Sequence, residues 1–211
     1  FFFFFFFFFF FFSINSQNIQ RETVVKDLGV LLDTGHTFQD HYNSIIGKAN
    51  KNLGFIMKIA KEFRDPYCLR SLYYALVRSI LETAAVVWSP YTDIWSSRIE
   101  SVQRKFIRFA LRTLPWTDPV LLPPYENRCM LLNMETLEKR RDDMRALFVG
   151  KILCGTIDAP NILAKLNVSV TPRVLRTTNF LRLPFHRTMY GQNAPICAMC
   201  RIFNSVFHLF D

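Results

Sequence analysis

The spacing of apolar residues between Tyr67 and Arg112 constrains this chain most. Leu69, Leu72, Tyr73, Leu76, Ile80, Ala84 and Val87 recur at three- and four-residue steps, and Trp95, Ile99, Val102, Phe106, Phe109 and Ala110 repeat the pattern. At about 100° per residue each set falls on one arc of a helix. Asp65-Pro66 supplies a capping carboxylate and a proline at the first helical position. Ser89-Pro90 stops the first helix, because the residue before proline is pushed out of the helical region. Asp93 is placed to cap the second helix, which should end near Leu114-Pro115. Two amphipathic helices joined by so short a turn are expected to pack antiparallel, with Trp88 and Trp95 buried where they meet.

The second helix carries a further pattern. Arg98, Arg104, Lys105, Arg108 and Arg112 fall on one arc of about 120°, beside the apolar arc and not within it. Glu100 is the only acid among them. A cationic stripe on a rigid helix suits a phosphate backbone. A solvated face of a core helix would look the same in sequence.

The flanking segments read as follows. Phe1 to Phe12 are all phenylalanine, a run whose helix would span only about 18 Å, short of a bilayer core. It reads as a translated genomic thymine tract or a gene-model boundary, with a lipid anchor as the alternative, and is set apart from the fold. Residues 13–22 are polar and read as a loop or strand edge. Val24 to Leu32 alternate with period two and read as one strand, ended by Asp33-Thr34-Gly35. Thr37 is placed to cap the next helix, whose apolar arc runs from Phe38 to Phe63. Lys48, Lys51, Lys58 and Lys61 lie off that arc, and Gly47 and Gly54 are expected to permit close helix packing. After a Pro-rich bend at 117–124, a helix should run from about Glu135 to Cys154 and stop at Gly155. Residues 156–211 are less regular, with a short helix after Asp158-Pro160, a short strand near Val168 and Val170, and a last helix from about Pro195 to Leu209.

Charge and cysteine usage bound the function loosely. Lys and Arg outnumber Asp and Glu by 26 to 17, and Arg173, Arg176, Arg182 and Arg187 follow one another with no acid between them. That balance is compatible with nucleic acid or an anionic surface. Five scattered cysteines argue against a secreted disulfide framework and for a reducing, intracellular compartment. No run reaches the ~20 apolar residues of a membrane-spanning helix, and no membrane partner is expected. Cys197 and Cys200 have zinc-like spacing, with His186 before and His208 after, but a second pair of ligands is missing and both read as core residues. His36 and His41 flank a helix start, with no serine or cysteine placed beside them by any motif. Asp142-Asp143 lies inside a helix pattern and reads as a solvated face, so no catalytic residue and no metal ligand is assigned.

Several blocks together resemble one family. Val77-Arg78-Ser79-Ile80-Leu81-Glu82, then Val87-Trp88-Ser89-Pro90, then Ile99-Glu100-Ser101-Val102-Gln103-Arg104-Lys105-Phe106 are similar, in order and spacing, to the region after the polymerase core of non-LTR (LINE-type) retrotransposon reverse transcriptases. The jockey-like elements of insects are the nearest in pattern. Val25 to Asp33 resembles that family's last palm strand, and Leu122 to Arg128 with Leu131, Leu132, Asn133, Leu137, Arg140 and Arg141 resembles a further block. Three positions depart from the pattern. Ser79 replaces a usual proline, which should straighten the first helix. Thr83 replaces a usual aromatic, and Asn133 replaces a glycine but still tolerates a left-handed backbone.

The resemblance covers about residues 24–207, most strongly 25–141. It implies a fragment of an RNA-directed DNA polymerase: a strand remnant of the palm at 13–35, a thumb-like domain at 36–155 and a C-terminal extension at 156–211. The fold expected is mainly α, a thumb-like bundle of antiparallel amphipathic helices with a short strand before it and an irregular part after it. The implied partners are the RNA/DNA backbone of a primer–template duplex and the missing palm and fingers. Lys48, Lys51 and Lys58 would join the five stripe residues in holding the duplex. In the intact enzyme Mg²⁺ would be bound by an acidic motif upstream of everything here, so this chain is expected to be inactive alone and to hold no cofactor. The alternatives are a domesticated nucleic-acid-binding module, a helical protein-interaction module, or a transposon relic without function.

Overall fold

The computed structural model describes residues 22–60, 65–112, 123–169 and 179–207, together with the backbone pairing of β1 (Ser13–Ile14) with β2 (Gln17–Asn18). The phenylalanine run, Lys61, Phe63, positions 117–122 of the Pro-rich bend, Val170, Arg173, Arg176, His208 and Leu209 lie outside the described residues. The fold is mainly helical, with short antiparallel strand pairs.

The expected single strand is instead a hairpin. β3 (Val24–Asp27) and β4 (Val30–Asp33) pair antiparallel about a two-residue turn at Leu28 and Gly29. Both turn residues have positive φ, 44° and 89°, the geometry that matches the twist of hairpin strands. The segment thus supplies its own ladder. The Asp33 carboxylate then accepts from the amides of Thr37 and Phe38 and from the Thr37 hydroxyl. Thr37 therefore does not cap α1 (Gln39–Ile59); Phe38, with φ 56°, occupies the cap position and Asp33 holds the lead-in.

The helix expected from 66 to 88 is not continuous. α2 (Pro66–Tyr73) starts as anticipated, with Asp65 accepting from the amides of Tyr67 and Cys68. It passes into a π-helical turn, Tyr74–Arg78, then α3 (Ser79–Glu82), a break at Thr83 and Ala84, and α4 (Ala85–Trp88). The expectation that Ser79 in place of proline would straighten this helix is corrected. Serine brings a distortion of its own: its hydroxyl donates to the Ala75 carbonyl at 2.6 Å while its amide reaches back to Tyr74. Asn52 of α1 takes the neighbouring Leu76 carbonyl at 2.7 Å. At the break, Thr83 donates its hydroxyl to Ser79, the Trp88 indole N–H donates to the Thr83 carbonyl, and Ala84 turns left-handed at φ 55°.

α5 (Asp93–Arg112) has Asp93 as its first helical residue, not its cap. Tyr73 stacks on Phe106 at 4.2 Å, which fixes α2 against α5. α1 lies alongside both. Its Asn43 and Asn50 meet Arg98 and Lys105, so α1 and α5 run parallel, whereas Tyr42 to Trp88 and Asn52 to Leu76 make α1 antiparallel to the broken helix. Trp88 is buried as expected; Trp95 is only half-buried, beside Tyr42 and beneath the Arg98 guanidinium. Gly47 and Gly54 do not serve close packing, because nothing lies within 4 Å of where their Cβ atoms would be.

α6 (Tyr125–Leu131) ends with Asn133 at φ 54°, the left-handed turn foreseen for it. α7 (Leu137–Leu153) is capped by the Thr136 hydroxyl and ends at Gly155, φ 71°. α8 (Pro160–Leu163), the pair β5 (Asn167–Val168) and β6 (Leu181–Arg182), α9 (Met189–Gln192) and α10 (Pro195–Phe207) follow. The core is in two parts. One joins α1 through α6 to the start of α7, and a second joins Val149 and Ile152 of α7 to Leu166, Leu181, Met199 and Cys200.

Candidate nucleic-acid interface

The exposed face of α5 presents Arg98, Arg104, Lys105, Arg108 and Arg112, and all five are exposed. Ile99, Val102, Phe106, Ile107, Ala110 and Leu111 are buried behind them and hold that face outward. Among the described residues none of the five is ion-paired.

Glu100, the one acid in the stretch, points the other way. It is 4% exposed, and its carboxylate accepts from the Tyr125 hydroxyl and from the amides of Leu137 at 3.0 Å and Glu138 at 3.2 Å. Those amides open α7, so a buried anion sits on a helix N-terminus where the dipole favours it. Gln103, fully buried, accepts from the Tyr73 hydroxyl and donates to Tyr125 and to the Glu135 carbonyl. Burial raises both phenol pKa values well above the ordinary range, and the Glu100 charge adds to the effect. These bonds tie α2, α6 and α7 to the inner side of α5. The consequence for the outer side is that no negative charge lies on it between Arg98 and Arg112, Asp93 standing apart in the first turn. Sequence spacing could not show that Glu100 turns inward; the clue was only that it sits one position from Ile99 on the apolar arc.

The stripe divides between two flanks. Arg98 and Lys105 lean toward α1, donating to Asn43 at 3.3 Å and Asn50 at 3.2 Å. Arg104 leans the other way, its guanidinium 4.9 Å from the centre of the Tyr125 ring. Lys51 and Lys58 are exposed about 80–100° round α1 from Asn50, on the side that continues the α5 face. Lys48 is exposed too, but about 160° round, so it does not share the face. The structure therefore brings seven of the eight sequence-assigned cations to neighbouring surfaces and sets Lys48 apart.

Several arginines outside the stripe serve inside the protein, whereas Arg182, Arg187 and Arg201 are exposed. Arg140 forms a paired contact with Glu82, and Arg78 lies over the Tyr74 ring at 3.5 Å. Arg141 is buried, and Arg145 donates to the Ser89 carbonyl.

Asp142 and Asp143 lie in the middle of α7, where Asp142 is partnered by Arg145 at 3.4 Å. Burial pushes the Asp142 carboxyl up, against that arginine. Among the described residues no group of three or more His, Cys, Asp or Glu is placed to hold a metal ion. Cys197 and Cys200 are buried in α10; the Cys197 sulfur lies 3.3 Å from His186 Nε2, and burial raises both thiol pKa values. His36 is exposed at the turn before α1, and His41 is buried against Trp88. No described helix is long and apolar enough to cross a membrane. Comparison of the chain with protein-family models, with characterised proteins and with solved structures gave no match.

Proposed function

We propose that this chain is the thumb-like region and C-terminal extension of a non-LTR retrotransposon reverse transcriptase, and that its role is to hold the phosphate backbone of a primer–template duplex. The observation that carries this reading is the α5 face: five exposed cations with no exposed acid between Arg98 and Arg112, joined along one flank by Lys51 and Lys58. A rigid helix presenting guanidinium groups at fixed spacing suits phosphate oxygens, which accept paired N–H donors. Contacts of this kind position nucleic acid without reading its sequence. Chemistry would come from the palm, and this chain alone does not extend a primer.

Fluorescence anisotropy with RNA–DNA duplexes of unrelated sequence tests the reading. Similar affinities across sequences, falling steeply with salt, are expected. Salt-independent binding, or none at low salt, would refute it. A second reading, a helical protein-interaction module, is favoured by the exposed apolar side chains at the α4–α5 turn, Val87, Tyr91 and Ile94. Capture of a protein partner that persists at high salt would select that reading instead.

A further inference from the structure

We propose that the cavity between the start of α5, α7 and α10 binds a phosphate group, at a site separate from the α5 stripe. The cavity holds about 200 Å³ and is bordered by Ser96, Arg141, Arg145, Asn193 and Arg201. A water molecule occupies roughly 30 Å³ of liquid, so there is room for a phosphate group with several waters.

Arg141 carries the argument. It is only 2% exposed. Its Nη2 donates to the Ser96 hydroxyl at 3.1 Å, while its Nη1 is buried without a partner. Among the described residues no carboxylate lies within ion-pairing distance of it. Glu100, the buried acid of this region, is committed to Tyr125 and the first amides of α7. A buried cation without a paired carboxylate is unfavourable, and here burial pulls the guanidinium pKa down against the more distant charges of Glu100, Glu138, Asp142 and Glu82.

Two more guanidinium groups border the same space. Arg145 donates to the Ser89 carbonyl and to Asp142, yet its Nε is also buried without a partner. Arg201 stands exposed and, among the described residues, bonds to Asn193 and the Gln192 carbonyl. The acids bordering the cavity are Asp93, Glu138 and Asp142; the first two are exposed and the third is paired with Arg145. A group with three acceptor oxygens could accept from Arg141 and Arg145 together while Arg201 closes over it. Arg141 Nη1 is sealed from solvent, so binding requires its guanidinium to turn toward the cavity. Arg145 Nε is sealed in the same way and must turn too, and because the guanidinium is rigid the turn of Arg141 also gives up the bond from Nη2 to Ser96, which the phosphate oxygens would replace.

The test uses the full chain and inorganic phosphate at constant ionic strength, with chloride as the reference. Phosphate is expected to raise Tm saturably, and Arg201→Gln, an exposed position, should weaken its apparent affinity by about tenfold, as loss of one charged hydrogen bond does. The stripe variant R104Q/R108Q/R112Q should bind phosphate like the wild type. A rise no greater than in chloride, one that does not saturate, or one lost in the stripe variant and kept in Arg201→Gln would overturn the site. Oligonucleotides with a 5′-phosphate or a 5′-hydroxyl then compete against phosphate. Competition by the first alone assigns the site to a nucleic-acid terminus, and competition by neither assigns it to free phosphate; both uphold it. Because the stripe residues lie outside this cavity, failure here leaves the duplex-holding reading standing.

Discussion

Trp88 joins three segments through its side chain and its backbone carbonyl. Its indole N–H donates to Thr83 across the helix break, its carbonyl accepts the Tyr42 hydroxyl, and its ring packs edge-on against His41 at 5.1 Å. Trp88→Ala should cost about 3–5 kcal/mol in urea unfolding, as large-to-small core changes do; a loss below 1 kcal/mol would mean the site collapses around the cavity. His41, beneath it, accepts the Leu31 amide on Nδ1 and so holds the hairpin to α1 in the neutral form. Burial, with Lys48 adding to it, lowers its pKa below 6.5. The folded state then binds fewer protons than the unfolded one, so this contribution is complete above about pH 6.5 and is lost as pH falls through the lowered value. Asp33 acts in a lower window. Burial would raise its carboxyl, but the Thr37 hydroxyl and the amides of Thr37 and Phe38 outweigh it and hold it below 3.8. Stability from that carboxylate is complete above about pH 3.8 and is lost below it. Unfolding measured from pH 7.5 to 5.0 should show the chain weakening, with a smaller dependence in His41→Gln; identical slopes would contradict the assignment to His41. Residue-level legibility was uneven for a physical reason. Asn133 could be anticipated because a left-handed turn restricts which residues serve there, whereas Glu100 and Arg141 look like ordinary helix-surface charges until neighbouring helices arrive to bury them.

At the scale of elements, periodicity located α1, α5 and α10 within a few residues, whereas α7 was marked by the glycine that ends it, because its two halves pack into different cores. Periodicity failed between Pro66 and Trp88. There side-chain hydroxyls of Ser79 and Thr83 and the amide of Asn52 capture backbone carbonyls, and such competition leaves the apolar spacing unchanged. It failed again at Leu28-Gly29, where leucine holds a turn position that asparagine or aspartate usually marks. The glycines of α1 were misjudged for a different reason: glycine in a helix signals close approach only when something approaches. Gly47 and Gly54 face open space with ordinary helical φ, so alanine at either should stabilise the chain by roughly 0.5–1 kcal/mol. Thermal unfolding of Gly47→Ala/Gly54→Ala should show a raised Tm; a lowered one would mean that α1 is packed against something in solution.

At the scale of the molecule, two cores meet along α7, whose first half closes the α1–α5 bundle and whose second half founds the C-terminal cluster. The first core carries the candidate interface, and its inner polar bonds around Glu100 and Gln103 keep the α5 face rigid and, between Arg98 and Arg112, free of exposed acid. The position of the stripe was legible in sequence because charge and apolar arcs alternate on a helix. Its union with Lys51 and Lys58, and the separation of Lys48, required the parallel alignment of α1 with α5. The measurement that bears most directly on the account is the salt dependence of RNA–DNA duplex binding before and after replacing Arg104, Arg108 and Arg112 by Gln, which preserves helix propensity. The account predicts weaker binding, unchanged Tm, and a slope of log K against log salt reduced by roughly 2–3, since each lost phosphate contact removes about 0.7–0.9. Equal affinity and equal slope at low salt would mean the stripe is only a solvated helix face, and would contradict the claim that this surface holds nucleic acid.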